Sequence, residues 1–435
     1  MLKRAFTPPA LRWALYDFAN TAFSMAVLAL VFPRLYKTLW ATGLTPSGAH
    51  TAFCLTLSLS SLLVAIVAPV LAGAAEAGGL RLRLLRRIAV AGALLTVALG
   101  FVPAGCWWGA SLVYIAGAAC FFCGNIFYDA MLTEVAAPEH RHTVSGLAFS
   151  FGYVAGVIML VALGATQGLF TSAAQSAPWI FGFAGLWWLL FALPLLTRHA
   201  DKASLHAPMP PLALAKAGAA EAWRTLKEIW AIKPLRRFLL AYIFYIDGVS
   251  TVVATAAYLG ESVGFTAGEV LKAFFVVQLF GVPCALGFGW LAGKVGARPM
   301  IATALAFYLV VTAYGSRISP GELHLAGLAV SPLMVLAAMV GMVQGGVQAL
   351  SRSYYASLIP AGRETAFFGF YSMIGKCSTV LGPILAWAAG GFVADKSASS
   401  LARAGFASLA ALFLIGLVFL ALARRAERET AKRTA

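Results

Sequence analysis

Charge is scarce in this 435-residue chain: 11% of its residues are Asp, Glu, Lys or Arg, and only 16 are acidic. An average soluble domain carries about 25% charged residues, so this chain lacks the polar surface that keeps a protein in water. Cysteine and histidine are equally thin, at six each. The cysteines are scattered through apolar segments, which excludes a disulfide-stapled secreted domain. Cys120 and Cys123 form a CxxC, but no second CxxC or His cluster completes a metal site, and the pair reads as small residues packing on a helix in lipid. The histidines lie in loops or near the ends of apolar segments, and no HExxH occurs, so nothing marks a hydrolytic or metal-dependent enzyme. No cofactor is expected. The Walker loop GxxxxGK[ST] is absent too, so ATP does not drive the protein directly. Short alternating strands of about ten residues are lacking as well, which excludes an outer-membrane barrel.

What remains is apolar: 61% of residues are hydrophobic and the mean hydropathy is +0.85. Runs long enough to cross a bilayer as helices of about 20 residues fall near 11–36, 51–74, 85–105, 109–132, 144–167, 178–197, 237–259, 268–292, 299–316, 325–350, 365–392 and 401–423. The first is too long for a signal-peptide core and reads as a retained span. The expected fold is therefore an all-α integral membrane protein of twelve transmembrane helices. Residues 1–197 and 237–435 would each form a six-helix bundle, joined by a cytoplasmic linker at 198–236. Within the linker, Trp223, Leu226, Ile229 and Trp230 recur at helical spacing among charged residues, the pattern of an amphipathic helix on the membrane face.

The net charge of +16 comes from Lys and Arg between the spans. This pattern suits anionic lipid headgroups and not nucleic acid. With both termini on one side, that side carries 25 of the 32 Lys and Arg and the other carries five, with Lys272 and Lys376 inside spans. The basic side faces the cytoplasm, so both termini and the linker are expected there, in a bacterial inner membrane.

The two bundles echo each other. Ala75, Gly79 and Arg81 follow the second span as Ala292, Gly296 and Arg298 follow the eighth. Pro138-Glu-His-Arg141 follows the fourth span as Pro360-Ala-Gly-Arg363 follows the tenth. A duplicated six-helix unit of this kind is a transporter architecture.

The loops after the second and eighth spans resemble the Gly-x-x-Ala-Asp-Arg/Lys-x-Gly-x-Arg signature of the major facilitator superfamily. Glu76 stands where the first Asp belongs and Gly293 where the second does. The resemblance implies that Glu76, Arg81 and Arg298 belong to a cytoplasmic gate, held more loosely in the C-terminal half. Trp13-Ala-Leu-Tyr-Asp-Phe-Ala-Asn20, Tyr245-Ile-Asp-Gly-Val249, Gln344-Gly-Gly-Val-Gln-Ala-Leu-Ser-Arg352 and Phe367-Phe-Gly-Phe-Tyr371 are similar to the vacuole-effluxer-like branch of that superfamily. That branch is named after fungal proteins that export amino acids. In the resembled fold the first, fourth, seventh and tenth spans line a central cavity.

Charges inside spans cost about 2.5–3.5 kcal/mol on insertion scales and usually face a cavity or a partner. They are Asp17, Asp129, Asp247, Lys272 and Lys376, with Arg352 at the cytoplasmic end of the tenth span. Gln344, Gln348 and Arg352 share one helical face, as do Asn125 and Asp129, and as do Asp17 and Asn20. Asp247 lies about 15 Å beyond Arg237 at 1.5 Å per residue, near mid-bilayer, with Lys376 comparably deep. Asp247, Lys376, Tyr245, Asn20, Asn125, Gln344, Gln348 and Tyr371 are thus expected at the substrate and proton site. Shallower Asp17, Asp129 and Arg352 are expected to form an inner ion-pair gate. Lys272, near the outer end of its span, reads as a snorkelling side chain. The expected function is secondary active transport by a monomer, by alternating access, of a small polar or zwitterionic, amino-acid-like solute, coupled to protons. The alternative is a flippase or exporter of lipid-linked or amphipathic cargo on the same fold.

Overall fold

Long apolar runs with polar caps at their starts dictate the elements. The computed structural model of the chain describes residues 5–166, 169–198, 209–325, 327–377, 380–395 and 397–434. Part of the expected linker, residues 199–208, lies outside the described residues. The helices are α1 (Pro8–Trp40), α2 (Pro46–Gly78), α3 (Arg81–Leu99), α4 (Trp107–Val135), α5 (Pro138–Ala165) and α6 (Ala173–Arg198). The linker helix α7 (Pro211–Ala231) follows, then α8 (Lys233–Val263), α9 (Ala267–Val295), α10 (Ala297–Gly315) and α11 (Pro332–Leu358). The last expected spans are each described in two pieces, α12 (Glu364–Cys377) with α13 (Leu381–Gly391), and α14 (Ala398–Ser408) with α15 (Ala410–Thr434).

Ten helical stretches among the described residues are long and apolar enough to cross a membrane. The expected third span falls short of that standard because α3 carries Arg81, Arg83, Arg86 and Arg87 in its first two turns. The expected eleventh does so because α12 and α13 are described as separate short helices. A two-stranded hairpin, β1 (Leu323–Leu325) and β2 (Leu328–Val330), sits between α10 and α11, where the sequence suggested none.

Local chemistry sets the helix ends. Thr45 caps α2 by accepting the Gly48 N–H at 3.1 Å, with Pro46 opening the helix. Thr266 and Glu269 form a capping box at the start of α9. The echoed glycines share a conformational duty: Gly79 closes α2 at φ 61° and Gly296 follows α9 at φ 94°, backbone that only glycine adopts freely. The middle of α1 widens into a π-helical stretch from Ser24 to Leu30, a distortion that often marks functional sites.

Packing repeats across the duplication. As α1 packs on α6, so α8 packs on α15; as α2 packs on α4, so α9 packs on α11. Likewise α3 meets α4 and α6 as α10 meets α11 and α15. The two sets of helices meet through α5 against α9 and through α2 against α12. Leu55, Leu59, Leu62 and Ile66 stand exposed at helical spacing on α2, an apolar outer face suited to lipid. The linker helix is not merely laid on the surface, as its amphipathic pattern suggested. Thr225 and Ile229 are buried, and Gly218 fits so tightly on α2 that a Cβ there would stand 2.5 Å from the Val70 carbonyl.

Candidate functional site

A cavity of about 460 Å³ lies between the two sets of helices. On one wall are Asp17, Asn20, Thr21, Ser24 and Met25 of α1 with Phe122, Asn125, Tyr128 and Asp129 of α4. On the other are Tyr242, Ile246 and Ser250 of α8, Gln344, Gln348 and Arg352 of α11, and Tyr371, Ser372 and Lys376 of α12. The i, i+4 spacing of Gln344, Gln348 and Arg352 puts all three on the lining face. Asn20 donates to the Asn125 side chain at 2.8 Å. The Oε1 of Gln344 is buried with no hydrogen-bond partner among the described residues. Tyr371 stacks on Tyr242 with ring centroids 4.4 Å apart. The Lys376 ammonium lies 4.1 Å from the centroid of the Phe122 ring, reaching across to the facing wall.

The cavity floor is a socket built around Arg352. Its Nη1 donates to Asp129 at 3.0 Å and to Asp17 at 3.3 Å. Its Nε donates to the Ser145 hydroxyl at 3.0 Å and its Nη2 to the Ser145 carbonyl at 3.2 Å. The guanidinium carbon sits 4.6 Å from the Trp13 ring centroid, 4.8 Å from Phe149 and 5.4 Å from Tyr128, within cation–π range. These partners all come from helices α1, α4 and α5, while Arg352 comes from α11. Trp13 is fixed in turn by its indole N–H, which donates to the Tyr128 carbonyl at 2.7 Å. One cation thus serves two carboxyl groups. The structure brings Asp17, Asp129 and Arg352 together as their span positions suggested. Sequence reasoning missed Ser145 and Phe149, whose approach to Arg352 depends on how α5 docks on α11.

Asp247 and Tyr245 lie elsewhere. Tyr242, Ile246 and Ser250 share the cavity stripe of α8, and Asp247 falls off it. Its carboxylate is fully buried, accepting the Gly382 N–H of α13 at 2.9 Å and the Thr251 hydroxyl at 3.2 Å. The Tyr245 hydroxyl pairs with Ser351 at 2.7 Å. Depth along a helix places a residue in the membrane but not on a face. Lys272 is exposed near the start of α9.

The three residues expected at the gate from the loop signature take separate partners on the face where α1 begins and α15 ends. Glu76 crosses from α2 to accept the Ala366 N–H in the first turn of α12 at 3.1 Å, where the helix dipole favours an acid. Arg81 pairs with Glu134 at 2.5 Å. Arg298 pairs with Glu427 of α15, which also accepts from the Tyr354 hydroxyl. The same face is closed by His142 against Ser353 at 2.9 Å, by Ser145 donating to the Ala349 carbonyl at 2.7 Å, and by Ser150 donating to the Val282 carbonyl at 2.7 Å. Here α5 and α9 touch backbone to backbone: a Cβ on Gly146 would lie 2.5 Å from the Ala285 carbonyl, and one on Gly289 would lie 2.6 Å from the His142 carbonyl. Where the linker helix lies against α2 and α12, Arg363 clamps it, donating to Glu228 at 2.9 Å, to Thr225 at 2.9 Å and to Glu221.

Comparison with known proteins gives a consistent picture. A family model described as "Vacuole effluxer Atg22 like" matches residues 47–433. An uncharacterized MFS-type transporter of Bacillus subtilis, YxiO, is 31% identical over 97% of this chain and 96% of its own length. Autophagy-related protein 22 of Yarrowia lipolytica is 25% identical over 79% of this chain and 70% of its own. Among solved structures, the human organic anion transporter MFSD10 superposes with a TM-score of 0.66 at 16% identity, covering 96% of this chain and 99% of that one. The Escherichia coli fucose:proton symporter FucP, in its outward conformation, superposes with a TM-score of 0.67 at 14% identity and the same coverage. At such identities the solved structures speak for the fold alone, which is the all-α major facilitator fold.

Proposed function

We infer the function of this chain from its family: it belongs to the Atg22-like vacuole effluxers, within the major facilitator superfamily of secondary transporters. It is a multi-pass integral membrane protein that moves a small molecule by alternating access. We propose that the cargo is a small polar or zwitterionic, amino-acid-like solute. The observation that carries this reading is the central cavity, where Lys376 stands on one wall, amide side chains line both, and the Gln344 oxygen has no hydrogen-bond partner among the described residues. Lys376 would hold an acidic group of the solute while Asn20, Asn125, Gln344, Gln348 and Tyr371 hydrogen-bond its polar atoms. Asp17, Asp129 and Arg352 would close the floor, with the contacts of Glu76, Arg81 and Arg298 bracing the same face.

Proton coupling is proposed for Asp247. Its carboxylate holds the first turn of α13, so binding a proton there would loosen one helix against another. Lys376→Gln is expected to remove at least tenfold in affinity for carboxylate-bearing amino acids in a thermal-shift series on purified protein, since bound ligand raises apparent stability. Asp247→Asn is expected to keep exchange of labelled for unlabelled solute yet lose accumulation driven by a pH gradient. Unchanged ligand shifts in Lys376→Gln would refute the substrate site. Wild-type accumulation in Asp247→Asn would refute the coupling site.

One observation favours the flippase reading. A second pocket of about 170 Å³, walled by Ala29, Val252, Ala256 and Phe274, adjoins the central cavity through Met25, Gln278 and Gln344. Thermal stabilisation by lipid-linked cargo, with none by amino acids, would select that alternative.

A further inference from the structure

The socket that holds Arg352 is a complete receptor for a planar cation, and the protein fills it with its own side chain. All three guanidinium nitrogens are matched, by two carboxylates and by both oxygens of Ser145, and three aromatic rings surround the carbon. The receptor belongs to one set of helices and its occupant to the other. Alternating access must part these sets on the face where α1 begins and α15 ends, and Arg352 must then leave. Its departure strips Asp17 and Asp129 of their shared counter-ion and leaves two partly buried carboxyl groups facing one space with no cation between them, an arrangement in which two like charges disfavour each other. Protons alone would neutralise the acids but would leave the Ser145 carbonyl and the rings without a partner.

We propose that Arg352 is an internal stand-in for the transported solute, and that the vacated socket binds the guanidinium group of a cationic solute. The inference rests on the transport reading above and narrows its substrate class to solutes that carry such a group. Solute and Arg352 are alternative occupants of one site. All of Asp17, Asp129 and Arg352 also line the central cavity, so a solute held there lies next to the socket it will enter. Competition for the socket then links cargo to conformation: a bound cation keeps Arg352 out and the face open, and its release lets Arg352 return and close it. A guanidinium is the best fit because its plane matches both the fork of acceptors and the ring faces.

The test has two arms on the full-length chain. In the first, the thermal midpoint of purified Arg352→Ala is measured with ethylguanidinium, with its neutral counterpart N-ethylurea, and with sodium chloride. Ethylguanidinium at millimolar concentration is expected to raise the midpoint where the other two do not, and adding Asp129→Asn is expected to abolish the rise. No rise beyond that given by sodium chloride would overturn the proposal. In the second, proteoliposomes containing the wild type are assayed for counterflow of labelled arginine, which carries both the acidic group and the guanidinium, with labelled leucine and glutamate in parallel. Arginine exchange that falls at least tenfold in both Asp17→Asn and Asp129→Asn supports the proposal. Absence of arginine exchange overturns it. Leucine or glutamate exchange in that case leaves the broader transport reading standing, and failure of all three removes it for amino-acid-like cargo. If Arg352→Ala does not fold, the counterflow arm decides alone.

Discussion

At the residue scale, Arg352 concentrates more of the closed face's chemistry than any neighbour. A buried cation with two acids and a hydroxyl is costly to break one-sidedly: removing one partner of a buried pair costs about 3–5 kcal/mol, because the other charge is left uncompensated. Arg352→Ala is therefore expected to lower the stability of the purified protein by about that much. Asp17→Asn or Asp129→Asn should each cost less, since the remaining acid still faces the guanidinium. A double-mutant cycle between Arg352→Ala and Asp129→Ala should return a coupling above about 1 kcal/mol, read from denaturation midpoints. Strict additivity would show that the pair does not act as a unit. The sequence made this triad legible because charges in apolar spans are rare and must find each other. It did not make the orientation of Asp247 legible, because successive residues on a helix point about 100° apart. Asp247 and the cavity-facing Ile246 are neighbours in sequence and face different neighbours in space. Ser145 carries no signal of its own, since a serine in a span is commonplace.

At the element scale, the linker helix α7 is the surprise. Its stripe of Trp223, Leu226, Ile229 and Trp230 suggested a helix resting on lipid, and Trp223 and Trp230 are indeed exposed, with Lys227 and Arg236 poised over their rings. The opposite side is committed to protein, with Gly218 and Gly73 in close apposition and Glu221, Thr225 and Glu228 held by Arg363 of the α11–α12 connection. The linker thereby touches α2 on one side and the connection to α12 on the other. A charge-assisted hydrogen bond contributes about 1.5–3 kcal/mol, so Glu221→Gln with Glu228→Gln should undock the helix more readily. The expected outcome is roughly tenfold faster trypsin cleavage at Arg224 and Lys227 in detergent, the factor that about 1.4 kcal/mol gives. Unchanged cleavage would mean that the glycine contact alone holds the helix. Such docking was invisible to helical periodicity, which reports that a helix has two faces but not what each face meets.

At the scale of the whole molecule, the duplication was the most legible feature, because the loop words repeat in order and the helix pairings repeat with them. The echoed Gly79 and Gly296 recur for a physical reason, since each turn needs a positive φ. The charge asymmetry of the loops yields an orientation that is directly testable. A cysteine replacing exposed Ala219 on the linker helix, in a background with the exposed Cys54 removed, should resist a membrane-impermeant maleimide in intact cells and react at once in inverted vesicles. Labelling of intact cells would reverse the topology.

The glycine seam between α5 and α9 bears on how fast the two sets of helices can part. Interlocked side chains must leave their holes before two surfaces separate, and each imposes its own steric barrier. At Gly146 and Gly289 the surfaces are nearly smooth backbone, and such close backbone packing is held by dispersion and by weak Cα–H···O bonds of the kind common at helix–helix interfaces. Smooth surfaces shear with little friction, so this stretch of the seam acts as a bearing, and the side chains that interlock lie further along it, Tyr153 on Gly281 and Gln278 on Gly156. The activation barrier to opening should then be set by the polar contacts around it, chiefly Arg352, and a bulkier residue at Gly146 should roughen the bearing and slow both directions of the cycle together.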